Sequence, residues 1–293
     1  REWGQAGARW RLEDIQRVCD WLRLGTAGGL SRLLGRLGIS YQRGRQHVHS
    51  PDPDYLGKLL DIQGFLRQAL EAPDLYVVLF QDEFSYYRQP SLERAYEARG
   101  QAQPLAELGH RKNRRGRILS VLNALTGAVY AEQHAYTGVS EMTTFYQQVC
   151  QRYPQVKLIY LVQDNWPVHF HPELLAALQP QVQRWPYHVP ESWPAKPKRP
   201  VEPLHLPIQL VLLPTYASWA NPIEKLWRML RQEVLHLHRF QDDWPGLQQR
   251  VADFLQQFSE GSERLLRYVG LSDPRRLYAP AFSANQSSLP LRC

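Results

Sequence analysis

Cysteine is scarce in this sequence, which has three, Cys19, Cys150 and Cys293, among 293 residues. They are widely separated and form no Cys-x-x-Cys pair, so the sequence predicts neither a disulfide framework nor a zinc site. This pattern is typical of proteins from a reducing compartment. We therefore expect a cytoplasmic protein, associated with the nucleoid if the source is bacterial.

Long apolar runs are also missing. No segment approaches the roughly 18 apolar residues that a membrane-spanning helix requires, and the first residues lack the charged and then apolar form of a signal peptide. We therefore expect no membrane partner. Because the sequence begins at Arg1 without a methionine, we also expect that upstream residues are missing.

Acidic residues are outnumbered by basic ones, with 28 Asp and Glu against 35 Lys and Arg, which gives a formal net charge of +7. The hydrophobic fraction of 43% is that of an ordinary folded protein, and the length suits one large domain and one small one. A positive balance favours a polyanionic partner, with nucleic acid as the first candidate, although many basic enzymes do not bind one.

Residues 1–50 predict a small helix-turn-helix segment with a winged-helix outline. Apolar residues recur at helical spacing up to Gly25, a second helix is expected from about Thr26 to Leu37, and residues 39–45 suggest a strand or wing. In this interpretation DNA contacts come from four arginines, Arg32, Arg36, Arg43 and Arg45. A helical hairpin with a solvated basic face explains the same spacing. A break at 50–54 precedes a linker helix within residues 51–72.

Residues 73–293 predict an α/β domain. Strands are expected at 76–82, 117–125, 128–136, 158–164 and 208–213, and helices at about 139–152, 172–179 and from 222. Three sequential strands followed by alternating helices and strands is the element order of the ribonuclease-H-like fold, a mixed sheet flanked by helices. In that fold the first and fourth strands are neighbours.

Three carboxylates occupy informative positions in this order. Asp82 and Asp164 end the first and fourth apolar runs, and Glu224 opens the helix after the fifth. Acids at the ends of buried strands are costly unless they are paired, and a divalent metal is a common partner. Two such ions about 3.5–4 Å apart can promote phosphodiester chemistry.

Each carboxylate also has a local explanation. Asp164 followed by Asn165 is typical of an Asx-turn. With Asn221 as an N-cap and Pro222 at the first helical position, Glu224 occupies the place of a capping-box acid. The sequence supports the metal site through the joint occurrence of the three acids on suitable elements.

Three motifs surround these carboxylates: Gln81-Asp82-Glu83, Asp164-Asn165 with His169, and Leu213-Pro-Thr-Tyr216 followed by Asn221-Pro-Ile-Glu-Lys-Leu-Trp227. The last is rare by chance. Over roughly residues 75–270 these motifs resemble the DDE transposases of the IS630/Tc1-mariner superfamily.

The resemblance implies a catalytic, metal-binding triad of Asp82, Asp164 and Glu224, with Asn165 and His169 beside it. It implies two Mg2+ ions, replaceable by Mn2+, in a cut-and-paste reaction. Water nicks the DNA, and the released 3′ hydroxyl attacks target DNA, commonly at a TA step. The partner is then double-stranded DNA, at element ends and target, and joining of paired ends implies a homodimer. We expect Trp227 to be a core residue, since it shares an apolar helix face.

The gap between the second and third acids is a departure from the family, since 59 residues separate Asp164 from Glu224 here. The excess is a Pro-rich insertion near 180–207, either a solvated surface loop or a contact to DNA or a partner subunit.

A basic segment completes the pattern. Six Lys or Arg and one Glu lie between Arg99 and Arg117. We expect phosphate contacts from five of them, Arg111, Lys112, Arg114, Arg115 and Arg117, although such a run is often a solvated turn. Two alternatives to a transposase stay open: a nuclease of the same fold that does not join DNA, and a transposase-derived DNA-binding protein without catalysis.

Overall fold

The computed structural model describes residues 11–39, 50–93, 95, 102–178, 200–279 and 281. These residues fall into two compact units, divided between Val48 and His49. The predicted wing with Arg43 and Arg45 lies outside the described residues, as does the insertion up to residue 199.

The first unit contains two helices, α1 (Leu12–Val18) and α2 (Ala27–Arg36). The Thr26 side chain accepts a hydrogen bond from Gly29 N and so caps the start of α2. Leu30 is buried on one side of this helix, whereas Arg32 and Arg36 are exposed on the other. The predicted helices are present with these two arginines facing solvent, and DNA binding by them stays a prediction.

The second unit is built on a five-stranded mixed sheet in the order β3-β2-β1-β4-β5. Its strands are β1 (Tyr76–Tyr87), β2 (Arg115–Asn123), β3 (Val129–His134), β4 (Leu158–Gln163) and β5 (Ile208–Leu212). The first three strands pair antiparallel, and β4 and β5 add in parallel. The predicted adjacency of the first and fourth strands is confirmed.

Helices cover both faces of this sheet. They are α3 (Tyr55–Glu71), α4 (Val139–Gln151), α5 (Pro172–Leu178), α6 (Ile223–Leu230), α7 (Trp244–Gln256) and α8 (Glu263–Val269). A π-helical turn at Arg231–Leu235 continues α6 directly. None of the described helices combines the length and apolar character needed to cross a membrane.

Two hydrophobic clusters pack against the two faces, because successive side chains of a strand point to opposite sides. Val78 and Phe80 of β1 face one cluster, which contains α3 and α6, whereas Val77 and Leu79 face the other, which contains α4 and α5. The helix predicted as a linker is thus part of the core, with Leu59 wholly buried.

Strand β1 is longer than predicted. Its parallel pairing with β4 ends at Phe80 and Val162, but its antiparallel pairing with β2 continues to Tyr87 and Arg115. The prediction that Asp82 ends its strand is therefore wrong, because β2 supports β1 for five further residues. Asp82 lies within a continuous strand, just past the point where β4 stops.

Candidate active site

Asp82 and Asp164 occupy matching positions on neighbouring strands. The last parallel pair joins Phe80 to Val162, and the same offset two residues further sets Asp82 opposite Asp164. Phe80 belongs to the cluster that contains α6, so the alternation of side chains places Asp82 on the α6 side of the sheet, whereas Asp164 is the first residue after β4. The strand order predicted that these two residues are neighbours at the end of β4.

The Asp82 carboxylate is held by a tryptophan. Its Oδ2 accepts a hydrogen bond of 2.7 Å from the indole Nε1 of Trp227. Burial raises the pKa of Asp82 well above its ordinary value, the charges of Glu83 and Glu224 raise it further, and the Trp227 bond opposes them. Trp227 is 1% exposed and belongs to the core, as expected, but sequence reasoning missed its polar contact.

Glu224 lies in the first turn of α6, and the start of that helix is anchored to β1. The Asn221 side chain donates to the carbonyl of Gln81 at 3.0 Å, next to Asp82. Pro222 is the N-cap residue, and no side chain caps the helix. The capping-box interpretation of Glu224 is therefore wrong, because Asn221 binds the neighbouring strand instead of its own helix.

The carboxylates repel one another electrostatically. Burial raises the pKa of Glu224, and Asp164 raises it further, while Arg231 and Arg228 oppose the shift. Asp164 also contributes to the raised pKa of Asp82. These shifts place the three acids within range of one another's charge, although they come from parts of the chain far apart in the sequence.

Asp164 makes the predicted Asx-turn and also takes part in the cluster. Its Oδ1 accepts a hydrogen bond of 2.9 Å from the backbone N of Trp166. The same oxygen lies 3.4 Å from His169 Nδ1. Burial alone raises the pKa of Asp164, but His169 and the Trp166 bond outweigh it, so the pKa is lowered. The local turn and participation in the site are thus compatible.

His169 links Asp164 to a fourth acid, Glu83. The imidazole is fully buried, with Nε2 at 2.9 Å from Glu83 Oε1 and Nδ1 at 3.2 Å from the Asp164 carbonyl oxygen. Burial lowers the pKa of His169, but Glu83 and Asp164 raise it to about 10. Sequence reasoning gave no role to Glu83. The only sequence feature that could have indicated one is its position next to Asp82 in the first motif.

Two sets of side chains near the end of β4 are of the types that bind metal ions. Ligand atoms of Glu83, Asp164 and His169 lie within 4.8 Å of one another. A doubly protonated imidazole has no lone pair to offer, so these three form an ion-pair network as they stand. Asp82, Asp164 and Glu224 supply only hard carboxylate oxygens, which suit Mg2+ or Mn2+. A bound cation would relieve the repulsion between these buried carboxylates. The donor set therefore fits a divalent metal.

Asn165 connects the end of β4 to the end of β5. Its Nδ2 donates to the carbonyl of Leu213 at 2.8 Å. Its Oδ1 is buried without a hydrogen-bond partner among the described residues. The structure therefore places Asn165 beside Asp164, with one amide atom fixing the strand ends.

Sequence reasoning also missed an anchor for the loop that precedes α6. Asp52 Oδ2 accepts from Thr215 N at 2.7 Å and from Lys58 Nζ at 2.6 Å. Ser50 Oγ donates to the carbonyl of Thr215 at 2.6 Å. The segment 50–54 was predicted only as a break, yet its polar side chains tie the start of α3 to the loop that leads to Glu224.

The basic segment leads into β2. Arg111, Lys112, Arg114 and Arg115 are exposed, and Arg117 is half-buried within the strand. A cavity of about 550 Å³ is lined by Arg88, Arg111, Lys112, Asn113, Arg114, Asp242, Trp244 and Pro245. Arg88 is buried and donates to the carbonyl of Arg111, which fixes one end of the segment. Arg115 pairs with Tyr87, the last residue of β1, so the segment meets β1 five residues beyond Asp82.

Known structures with a similar fold define the fold class. The chain is similar in fold to the mariner Mos1 paired-end complex with Mg, at 13% identity and a TM-score of 0.59 over 96% of this chain and 80% of that one. It is also similar to the Mos1 strand transfer complex, at 13% identity and a TM-score of 0.55 over 94% and 79%. The ribonuclease-H-like fold predicted from element order is confirmed. The chain is thus a ribonuclease-H-like protein with acidic residues just past the point where β1 and β4 stop pairing.

The family follows from the sequence. Residues 77–244 match the family described as DDE superfamily endonuclease, and the chain belongs to that family. Over 238 residues it is 23% identical to the insertion element IS630 uncharacterized 39 kDa protein of Shigella sonnei. The alignment covers 80% of this chain and 59% of that protein. The chain thus spans less than two thirds of the length of this relative. The predicted resemblance to the IS630/Tc1-mariner superfamily agrees with the family match and with this IS630 relative.

Proposed function

We propose that the chain is a DNA transposase that cleaves DNA at the ends of a mobile element and joins those ends to target DNA. The observation that carries this proposal is the convergence of Asp82, Asp164 and Glu224 where β4 and the start of α6 meet β1, in a member of the DDE superfamily endonucleases. The proteins that this chain resembles bear the names of an insertion element and of paired-end and strand-transfer complexes.

The three carboxylates have the role of binding divalent metal, with two Mg2+ ions as the proposed complement and Mn2+ as a substitute. Bound there, the metal supplies Lewis acidity for attack on a phosphodiester and for departure of the leaving oxygen. Asp82 and Asp164 provide ligands from adjacent strands, and Glu224 provides one from α6. His169 is buried between Glu83 and Asp164 and orients Asp164.

Double-stranded DNA is the proposed partner of two basic regions. Arg111, Lys112, Arg114, Arg115 and Arg117 are assigned to phosphates near the carboxylates, and Arg32 and Arg36 of α2 to the element end. Arg43 and Arg45 keep their predicted role in the same segment. Joining of two ends requires two active sites, so we propose a homodimer on DNA, acting in the cytoplasm.

A duplex that carries the element end, incubated with Mg2+, tests this function. We expect strand cleavage and, with target DNA present, a joined product. Asp82→Asn, Asp164→Asn and Glu224→Gln should each lower cleavage by on the order of a thousandfold, since the metal contributes several kcal/mol to the barrier. These changes remove charge and keep side-chain size.

The outcomes separate the alternatives. Equal cleavage by wild type and all three variants would refute the triad. Cleavage without joining would favour a nuclease of the same fold, and DNA binding without cleavage would favour a non-catalytic binding protein. Arg267→Gln is a matched control, because Arg267 is exposed on α8 and has no assigned role.

A further inference from the structure

Trp227 makes two kinds of contact at once. Its ring stacks on Phe84 with centroids 5.1 Å apart and planes 15° apart. Its indole N–H donates to Asp82 Oδ2 at 2.7 Å. Packing explains the ring, since any large aromatic side chain fills this part of the core. It does not explain the donor, which a phenylalanine would lack.

Asp82 depends on this donor. Within the described residues, the indole of Trp227 is the one hydrogen-bond donor to the Asp82 carboxylate, and burial together with Glu83, Glu224 and Asp164 disfavours the charge of that carboxylate. A hydrogen bond to a charged acceptor is short and strong, and it fixes the direction of the carboxylate plane. Asp82 is therefore oriented from the α6 side.

The same helix carries Glu224. Residues three apart lie on one side of a helix, so Glu224 and Trp227 both face β1. Asn221, three residues before Glu224, donates to the carbonyl of Gln81. Two bonds, one on each side of Glu224 in sequence, thus reach the consecutive residues Gln81 and Asp82. This pair of bonds sets Glu224 against Asp82 despite the long segment that separates Asp164 from α6.

We propose that Trp227 is a positioning residue whose indole N–H orients the Asp82 carboxylate for divalent metal and holds α6 in register with β1. This inference rests on the proposed function, because it requires Asp82 to be a metal ligand. Hydrogen-bond partners of metal ligands typically change metal affinity by about 10- to 100-fold when they are removed.

Calorimetric titration of the chain with Mn2+, without DNA, tests the proposal. Trp227→Phe keeps a ring for stacking and removes the donor, so we expect Mn2+ affinity to fall by about 10- to 100-fold. In the cleavage assay the turnover rate should fall while the KM for DNA stays unchanged. Trp219→Phe is the matched control, because Trp219 is half exposed and donates to Tyr55 at 3.4 Å, and its Mn2+ affinity should equal that of wild type.

Two further variants separate orientation from packing. Phe84→Leu weakens the ring stack and keeps the donor, so Mn2+ affinity should be largely retained. Replacement of Trp227 by 3-benzothienylalanine exchanges the indole N–H for sulfur and keeps the ring size nearly constant. This variant also provides the test if Trp227→Phe does not fold. Wild-type Mn2+ affinity in the benzothienyl variant, or an equal loss of affinity in Phe84→Leu, would overturn the proposal.

Asp82→Asn distinguishes failure of this inference from failure of the proposed function. If Asp82→Asn binds Mn2+ as wild type does, Asp82 is not a ligand, and both proposals fall. If Asp82→Asn loses binding and the benzothienyl variant does not, the metal site stands and the role of Trp227 is refuted.

Discussion

Asn221 and Gln81 are joined by a hydrogen bond of 3.0 Å from the Asn221 side chain to the Gln81 carbonyl, although 140 positions separate them. Asn221 is 3% exposed and Gln81 is fully buried. The bond satisfies a buried carbonyl at the point where β4 no longer pairs with β1. The bond therefore stabilises the sheet and also helps to position Glu224.

Asn221→Ala should destabilise the fold by about 1–3 kcal/mol, because it leaves the buried Gln81 carbonyl without its partner. Urea unfolding followed by circular dichroism measures this loss. Asn113→Ala is the control, since Asn113 is exposed and its Oδ1 accepts from Gln89 N. Equal losses in the two variants would contradict the structural role of Asn221.

The ion pair of Asp52 with Lys58 predicts a dependence of stability on pH. Burial alone raises the pKa of Asp52, but the bonds from Lys58, Thr215 and Asp54 outweigh it, so the folded pKa lies below the ordinary value of 3.8. A depressed pKa stabilises the fold above the unfolded pKa, and this contribution is lost as pH falls through the folded pKa.

We therefore expect the stability difference between wild type and Asp52→Asn to be constant from pH 7 to 5 and to shrink below about pH 4. Chemical unfolding at each pH gives this difference. Asp242→Asn, at an exposed site, should show no comparable change. A difference between wild type and Asp52→Asn that does not vary with pH would refute the prediction.

The buried pair of His169 and Glu83 predicts strong coupling. His169→Gln alone leaves Glu83 without a cationic partner and should cost about 3–5 kcal/mol. The double variant Glu83→Gln/His169→Gln removes both charges and should cost less than the sum of the two single changes. A double-mutant cycle by urea unfolding measures the coupling. Additive costs would show that the pair does not act as a unit.

The basic segment predicts a salt effect on DNA binding. Arg111→Gln removes one exposed cation, and if Arg111 contacts a phosphate, the slope of log Kd against log salt should fall by about 1. Arg267→Gln should leave the slope unchanged. Fluorescence anisotropy with a labelled duplex between low and moderate salt gives both slopes, and identical slopes in the two variants would contradict phosphate contact by Arg111.

Much of the fold was readable from the sequence, because the strands of the second unit are bounded apolar runs and their order restricts the topology. The length of β1 was not, since pairing with β2 continues through the polar residues that follow the apolar run. The local sequence offered a helix cap as a second explanation of Glu224 beside its predicted place in the triad, and only tertiary contact shows that Asn221 binds β1. Glu83 and Trp227 were missed as site residues for a related reason: their partners, His169 and Asp82, come from distant segments.

Metal coordination by the carboxylates is tested most directly by exchanging one ligand atom. Asp164→Cys replaces oxygen by a softer sulfur ligand, which tolerates Mn2+ better than Mg2+. We predict that DNA cleavage by Asp164→Cys is lost in Mg2+ and recovers in Mn2+ by at least about tenfold relative to Asp164→Ala. Equal activity of the Cys and Ala variants in both metals, or wild-type activity of Asp164→Cys in Mg2+, would contradict the metal-binding role of Asp164.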